Sequence, residues 1–166
     1  MLAFVIDVNV AIVANGHAPQ ANLACISACV NALECVFKNG MIVLDDNMRI
    51  LREYKKYLSP KGQPGVGDAF MKWVWDNQAV ANRCERVALT PTGNGTTDFA
   101  EFPDVPVLRR FDKSDRKYVA VAIASKNNPE VLNAVDPDWW EHQNALKENG
   151  IRLRFLCPQN MKNKKK

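Results

Sequence analysis

Short apolar runs of strand length alternate along the chain with segments of helical periodicity, and this alternation limits the fold more than any other feature. The first run is Leu2-Ala3-Phe4-Val5-Ile6, closed by Asp7. Met41-Ile42-Val43-Leu44, Arg86-Val87-Ala88-Leu89 and Val131-Leu132-Asn133-Ala134-Val135 follow, and Ile151 to Leu156 alternates as an edge strand does. A helix over Pro19 to Lys38 carries Leu23, Ile26, Val30, Leu33 and Phe37 on one face and stops at Asn39-Gly40. Asp45 or Asp46 caps a second helix bearing Ile50, Leu51, Tyr54, Tyr57 and Leu58. A Trp-rich helix spans Gly67 to Asn77, and a short helical piece precedes the third strand. A further helix opens at Asp112 or Ser114 and runs through Ser125, apolar all round at its centre. The last is initiated by Pro137 and reaches Asn149-Gly150. Continuous apolar strands between helices need cover on both sheet faces. The expectation is an α/β chain, a three-layer α/β/α sandwich whose mostly parallel central sheet has about five strands.

At 166 residues the chain fits one domain, expected over residues 1–157, with a basic, disordered tail at 158–166. The tail lysines read either as a solvated end or as an electrostatic arm for a polyanion. No stretch approaches the roughly 18 apolar residues of a membrane span. The opening run, cut off by an acid and lacking a basic region before it, reads as a buried strand rather than a signal peptide. Five cysteines at positions 25, 29, 35, 84 and 157 form no disulfide framework, so they are expected to be reduced thiols of a cytoplasmic protein. Cys25 and Cys29, one helical turn apart, have the spacing of metal ligands, but no His or second Cys pair completes such a site, and small buried thiols are the reading kept. Residues 90–110, rich in Gly, Pro, Thr and Asp, make the longest irregular stretch, of the kind that is functional or mobile.

The acids carry the functional signal through their positions. Asp7 follows the first strand and Asp136 the fourth, and open parallel sheets bind ligands beyond the carboxyl ends of their strands. Glu53 sits on the edge of an apolar helix face between Ile50 and Tyr57, where a carboxylate is half-buried and a cation would offset the cost. Asp115, three and four residues before Tyr118 and Val119, points inward along the buried helix. Each acid also has a plainer role. Asp7 suits a strand-end turn, Glu53 a surface pair with Arg49 or Lys56, and Asp112, Asp115, Asp136 and Asp138 suit helix caps.

The order of these segments resembles the PIN domain family over nearly the whole chain. Val5-Ile6-Asp7-Val8-Asn9 resembles the family's opening strand and acid. Ile42 to Asp45 running into Ile50-Leu51-Arg52-Glu53-Tyr54 resembles its second strand and Glu-bearing helix. Asp112-Lys113-Ser114-Asp115 ahead of Tyr118 to Ala122 resembles its D-x-x-D segment and Ala-rich helix, and Asp136-Pro137-Asp138 its closing D-x-D turn. The chain departs from the pattern at Asn133 and Ala134, where the family usually has Thr or Ser. Trp139-Trp140 after the last acid is also unusual, and reads as core packing or as a base-stacking platform.

The resemblance implies a metal-dependent endoribonuclease hydrolysing RNA phosphodiester bonds, with the toxins of toxin–antitoxin pairs as its nearest subgroup. Asp7, Glu53, Asp115 and Asp136 would be its catalytic residues. These four with Asp138 would hold Mg²⁺ or Mn²⁺. Asn9 is placed with the substrate contacts, and Lys113, Arg116 and Lys117, beside Asp115, read equally as phosphate contacts or as a solvated helix end. RNA is the implied partner, with an antitoxin protein or a second copy of the chain beside it and no membrane. His17 and His142, the only histidines, stand outside this set, which argues against histidine-based cleavage. Two other readings remain open here. One is an inactive PIN-like module that binds RNA or protein. The other is a phosphatase using Asp7 as nucleophile, as in the haloacid dehalogenase family, whose second acid is replaced here by Asn9.

Overall fold

The computed structural model describes residues 1–163. Five strands, β1 (Leu2–Ile6), β2 (Gly40–Asp45), β3 (Cys84–Val87), β4 (Glu130–Asn133) and β5 (Arg152–Phe155), form one sheet in the order β3-β2-β1-β4-β5. Every pairing is parallel. The helices are α1 (Val8–Ala14), α2 (Leu23–Asn39), α3 (Arg49–Tyr57), α4 (Val66–Asn77), α5 (Arg116–Ala124), α6 (Pro137–Glu141), α7 (Gln143–Glu148) and α8 (Pro158–Asn163). Two 3₁₀ turns, Pro106–Arg110 and Lys113–Asp115, precede α5.

The layers follow from burial. In β1 every residue after Leu2 is buried, as a central strand covered on both faces requires. Helices α1, α2 and α4 pack on one another, with α2 against β1 and β2, while α5 lies against β1, β2 and β4. The result is the expected α/β/α sandwich. Close approach of α4 to α1 requires Gly67, where a Cβ would stand 2.0 Å from the carbonyl oxygen of Ala11. Among the described residues no helix is long and apolar enough to cross a membrane.

The topology creates the crevice. From β1 the chain builds outward through β2 to β3, then returns to the other side of β1 for β4 and β5. The winding direction therefore reverses between β1 and β4, and in such sheets the space beyond their carboxyl ends is left open. Asp7 and Asn133 stand at those two ends, and the Asp7 N–H donates to the Leu132 carbonyl (3.1 Å) to hold them level.

Several boundaries differ from the sequence reading. Helix α1 was not expected, because Val8, Val10, Ile12 and Val13 favour strand. Packing against α2 and α4 overrides that preference. The third and fourth strands run earlier, Cys84–Val87 and Glu130–Asn133, in register with their neighbours. Turns replace the helical piece expected before β3. The last helix is interrupted at His142, giving α6 and α7. Residues 158–163, expected as the start of the tail, form α8. There Met161 is buried, and the Asn160 amide donates to the Gln20 carbonyl (2.9 Å). The rest of the expected tail, 164–166, lies outside the described residues.

The cysteine expectation is also corrected. Cys25 in the first turn of α2 and Cys157 before α8 form a disulfide, with Cα atoms 5.2 Å apart across 132 residues of sequence. Cys29, Cys35 and Cys84 are free. Spacing could not reveal this pair, since only the path of β5 brings residue 157 back to α2. Closing so long a loop reduces unfolded-state entropy by up to about 5 kcal/mol in the chain-entropy account. Unfolded, non-reduced protein should therefore titrate three thiols, and reduction should lower stability by a few kcal/mol in denaturant melts. Five titratable thiols without reductant would contradict the pairing.

Candidate metal centre

Three acids from three separate segments meet in the crevice. Asp7, Asp115 and Asp136 each place a carboxylate oxygen within 4.8 Å of the other two. Asp7 and Asp115 are buried and Asp136 is half-buried. Asp7 caps α1, accepting from the Asn9 N–H (3.0 Å), so its position follows from where β1 stops. Asp136 caps α6, accepting from the Asp138 N–H (2.9 Å). Asp115 ends the 3₁₀ turn that leads into α5.

Asn133 ties the set together. It is fully buried at the end of β4. Its amide nitrogen donates to Asp7 Oδ2 (3.2 Å), and its carbonyl oxygen accepts from the Asp136 N–H (3.1 Å). Asn133 stands in the stretch where the resembled family carries a hydroxyl residue, and it supplies both a donor and an acceptor. Its amide was noticed in the sequence only as a departure. The usable signal was a side chain with both a donor and an acceptor three residues before an acid.

Burial and mutual repulsion set the charge state. Burial first, and then the charges of Asp136 and Glu53, push Asp7 up to about 7 despite the Asn9 hydrogen bond. Burial, followed by the charges of Asp7 and Asp136, pushes Asp115 up to about 9. A hydrogen bond between the two carboxyls raises Asp115 further and works to lower Asp136. Asp136 is itself raised, mainly by burial, against the hydrogen bonds it accepts from Asp138 and Asp115. A buried set of hard oxygen donors that resists ionisation on its own suits a divalent cation, which would replace the protons.

Glu53 borders the crevice without joining the trio, as its charge on Asp7 shows. It is half-buried, accepting from Lys117 Nζ (3.0 Å) and from the Tyr118 hydroxyl. Lys117 also donates to the Ser114 carbonyl, and its charge favours ionised Asp7. The other expected residues divide. Lys113 is exposed beside a cleft of about 460 Å³ that Arg49, Arg52, Glu53, Lys56 and Lys117 also line. Asn9 turns inward, its side-chain oxygen accepting from the Ala134 N–H (2.9 Å). Arg116 pairs with Asp98 (2.6 Å), donates to the carbonyls of Arg109 and Phe111, and lies over the Phe102 ring, so it fixes a loop instead of facing the cleft. Asp138 is engaged by the Asp112 N–H (2.8 Å) at one oxygen and by His142 Nδ1 (3.2 Å) at the other, which makes it a brace rather than a member of the trio.

Searches against protein-family models, curated proteins and solved structures find no match to this chain.

The site therefore rests on its own geometry. Trp139 is fully buried edge-on to Phe111, and Trp140 packs on Phe155, so both serve packing.

Two outcomes follow for the metal-free protein. Asp7 and Asp115 bind protons more tightly folded than unfolded, since their folded values lie above the ordinary 3.8. Their stabilising protons are fully bound at low pH and are lost as pH rises through about 7 and then about 9, so stability should fall over that range. In EDTA, wild-type melting temperature should drop between about pH 5 and pH 9 more steeply than that of Asp115→Asn. Parallel pH profiles for the two proteins would count against the coupled cluster. Asn133→Ala should cost about 1–3 kcal/mol, because it takes away the partners of the half-buried Asp136 N–H and of Asp7 Oδ2. A change below about 0.5 kcal/mol in denaturant melts would remove Asn133 from this role.

Proposed function

We propose that the chain is a PIN-like, metal-dependent endoribonuclease, with Asp7, Asp115 and Asp136 holding Mg²⁺ or Mn²⁺. The observation that carries this reading is the convergence of three mutually repelling, buried carboxylates at the switch point of a parallel sheet. The donor set is all oxygen, as Mg²⁺ and Mn²⁺ prefer. When bound, such a cation lowers the pKa of water and neutralises charge developing on phosphate oxygens.

The chain's own residues supply the rest. Asp7, Asp115 and Asp136 present negative charge once their protons leave. Asn133 orients Asp7 and the backbone of Asp136. Glu53 holds Lys117 at the edge of the trio, where its ammonium can meet a phosphate oxygen without neutralising the acids. The exposed Arg52, Lys56 and Lys113 give the adjoining cleft the positive charge that a polyanion backbone requires. The phosphatase alternative loses ground, because Asn9 spends its side-chain oxygen on Ala134. An antitoxin partner belongs to this reading through the family resemblance.

The deciving experiment is cleavage of a labelled single-stranded RNA pool, with and without EDTA, by wild type and Asp7→Asn. Wild type should cleave only with Mg²⁺ or Mn²⁺. The variant should lose on the order of a hundredfold or more, the scale for removing one electrostatic element of a site. Its metal-free melting temperature should be unchanged or higher, because a repelling buried carboxylate has gone. Equal cleavage by both proteins, or cleavage indifferent to EDTA, would defeat the proposal.

A further inference from the structure

Besides the acidic trio, a second group of ligand-bearing side chains converges. Cys25 and Cys29 lie one turn apart on α2, and Cys157 arrives from the far end of the chain after β5. Their three sulfur atoms lie within 4.8 Å of one another, and all three residues are buried. The disulfide uses only Cys25 and Cys157, so Cys29 is a third sulfur with no covalent task.

That third thiol is poorly suited to exchange with the bond beside it. Attack on a disulfide needs thiolate. Burial pushes Cys29 up to about 12, so little thiolate is present at neutral pH. Oxidised, the trio is a fixed crosslink with a spectator thiol. Reduced, it becomes three soft donors in a closed space, and the first turn of the 17-residue α2 favours negative charge at Cys25.

We propose that, when the Cys25–Cys157 bond is reduced, Cys25, Cys29 and Cys157 form a three-sulfur site for one soft d¹⁰ cation, of the class of Cu(I), Zn²⁺ and Cd²⁺. Thiolate donors select such ions over Mg²⁺ or Mn²⁺, so this site and the acidic one take different metals. Metal–sulfur bonds of about 2.3 Å place sulfurs roughly 3.8 Å apart, within side-chain adjustment of the observed trio. An external dithiol supplies the two electrons and two protons that open the disulfide, and is itself oxidised to a disulfide. Each sulfur–metal bond then forms as that thiol releases its proton to solvent. Both forms close the same loop of 132 residues, so either would keep β5 and α8 tied to α2.

The test is anaerobic titration of the reduced full-length chain with Cd²⁺. A single equivalent should raise the ultraviolet sulfur-to-cadmium charge-transfer band, which carboxylate-bound Cd²⁺ does not produce. Alkylation followed by mass spectrometry should find Cys25, Cys29 and Cys157 protected together while exposed Cys35 reacts. Cys29→Ser should weaken the cadmium affinity by roughly tenfold or more. The same variant should still form the Cys25–Cys157 crosslink on oxidation, which shows that it has folded. No band in wild type, an undiminished band and affinity in Cys29→Ser, or protection of Cys25 and Cys157 without Cys29 would each overturn the proposal.

Discussion

Repulsion among the largely buried Asp7, Asp115 and Asp136 is the constraint around which the neighbouring structure is organised. Three ionised carboxylates within 4.8 Å would oppose folding, and two of them are raised to about 7 and about 9. The fold bears this cost by fixing each acid through its backbone. Asp7 and Asp136 are helix caps, and Asn133 bridges between them. Parallel strands β1 and β4 make this possible, because they end side by side and each delivers its acid to the same place. Glu53 is spared the repulsion, since Lys117 and Tyr118 absorb its charge.

The parts legible in the sequence were those that depend on one element at a time. A strand of five apolar residues ending in Asp shows where Asp7 must lie, and helical spacing puts Glu53 at the margin of a buried face. What sequence could not show was which polar groups of different elements satisfy one another. Asn9 and Arg116 look like substrate contacts when read along the chain, yet Ala134 and Asp98 claim them in space. Helix α1 escaped detection because its β-branched residues imitate a strand, and only the neighbours α2 and α4 decide otherwise. The disulfide was hidden for the same reason, since its halves lie on separate elements.

The stretch between β3 and α5, whose helical pieces are two 3₁₀ turns, shows how a long connection is held. Glu101 accepts from the Thr90 N–H (2.6 Å), and Phe102 stacks on Phe111. Arg116 then gathers the loop through Asp98, the Phe102 ring and two carbonyls. The same loop places Thr96, Thr97 and Phe99 on the wall of the basic cleft. One half-buried guanidinium thus gathers several points of the loop at once, through a planar fork of donors that also lies over a ring.

Arg116 immediately follows Asp115, and this adjacency couples the cleft wall to the acids. The turn that carries both residues is fixed at its start, where the Asp112 N–H reaches Asp138 and Phe111 packs edge-on to Trp139. Asp138 in turn lies two residues beyond Asp136, so the brace that aligns the turn also belongs to the helix that Asp136 caps. Asp115 therefore meets Asp136 because their two segments are joined just outside the trio, by a joint whose own acids, Asp112 and Asp138, add to the repulsion on Asp115 and Asp136. Lys113 and Ser114 of the same turn line the cleft, so one joint positions both the cleft wall and the acidic trio.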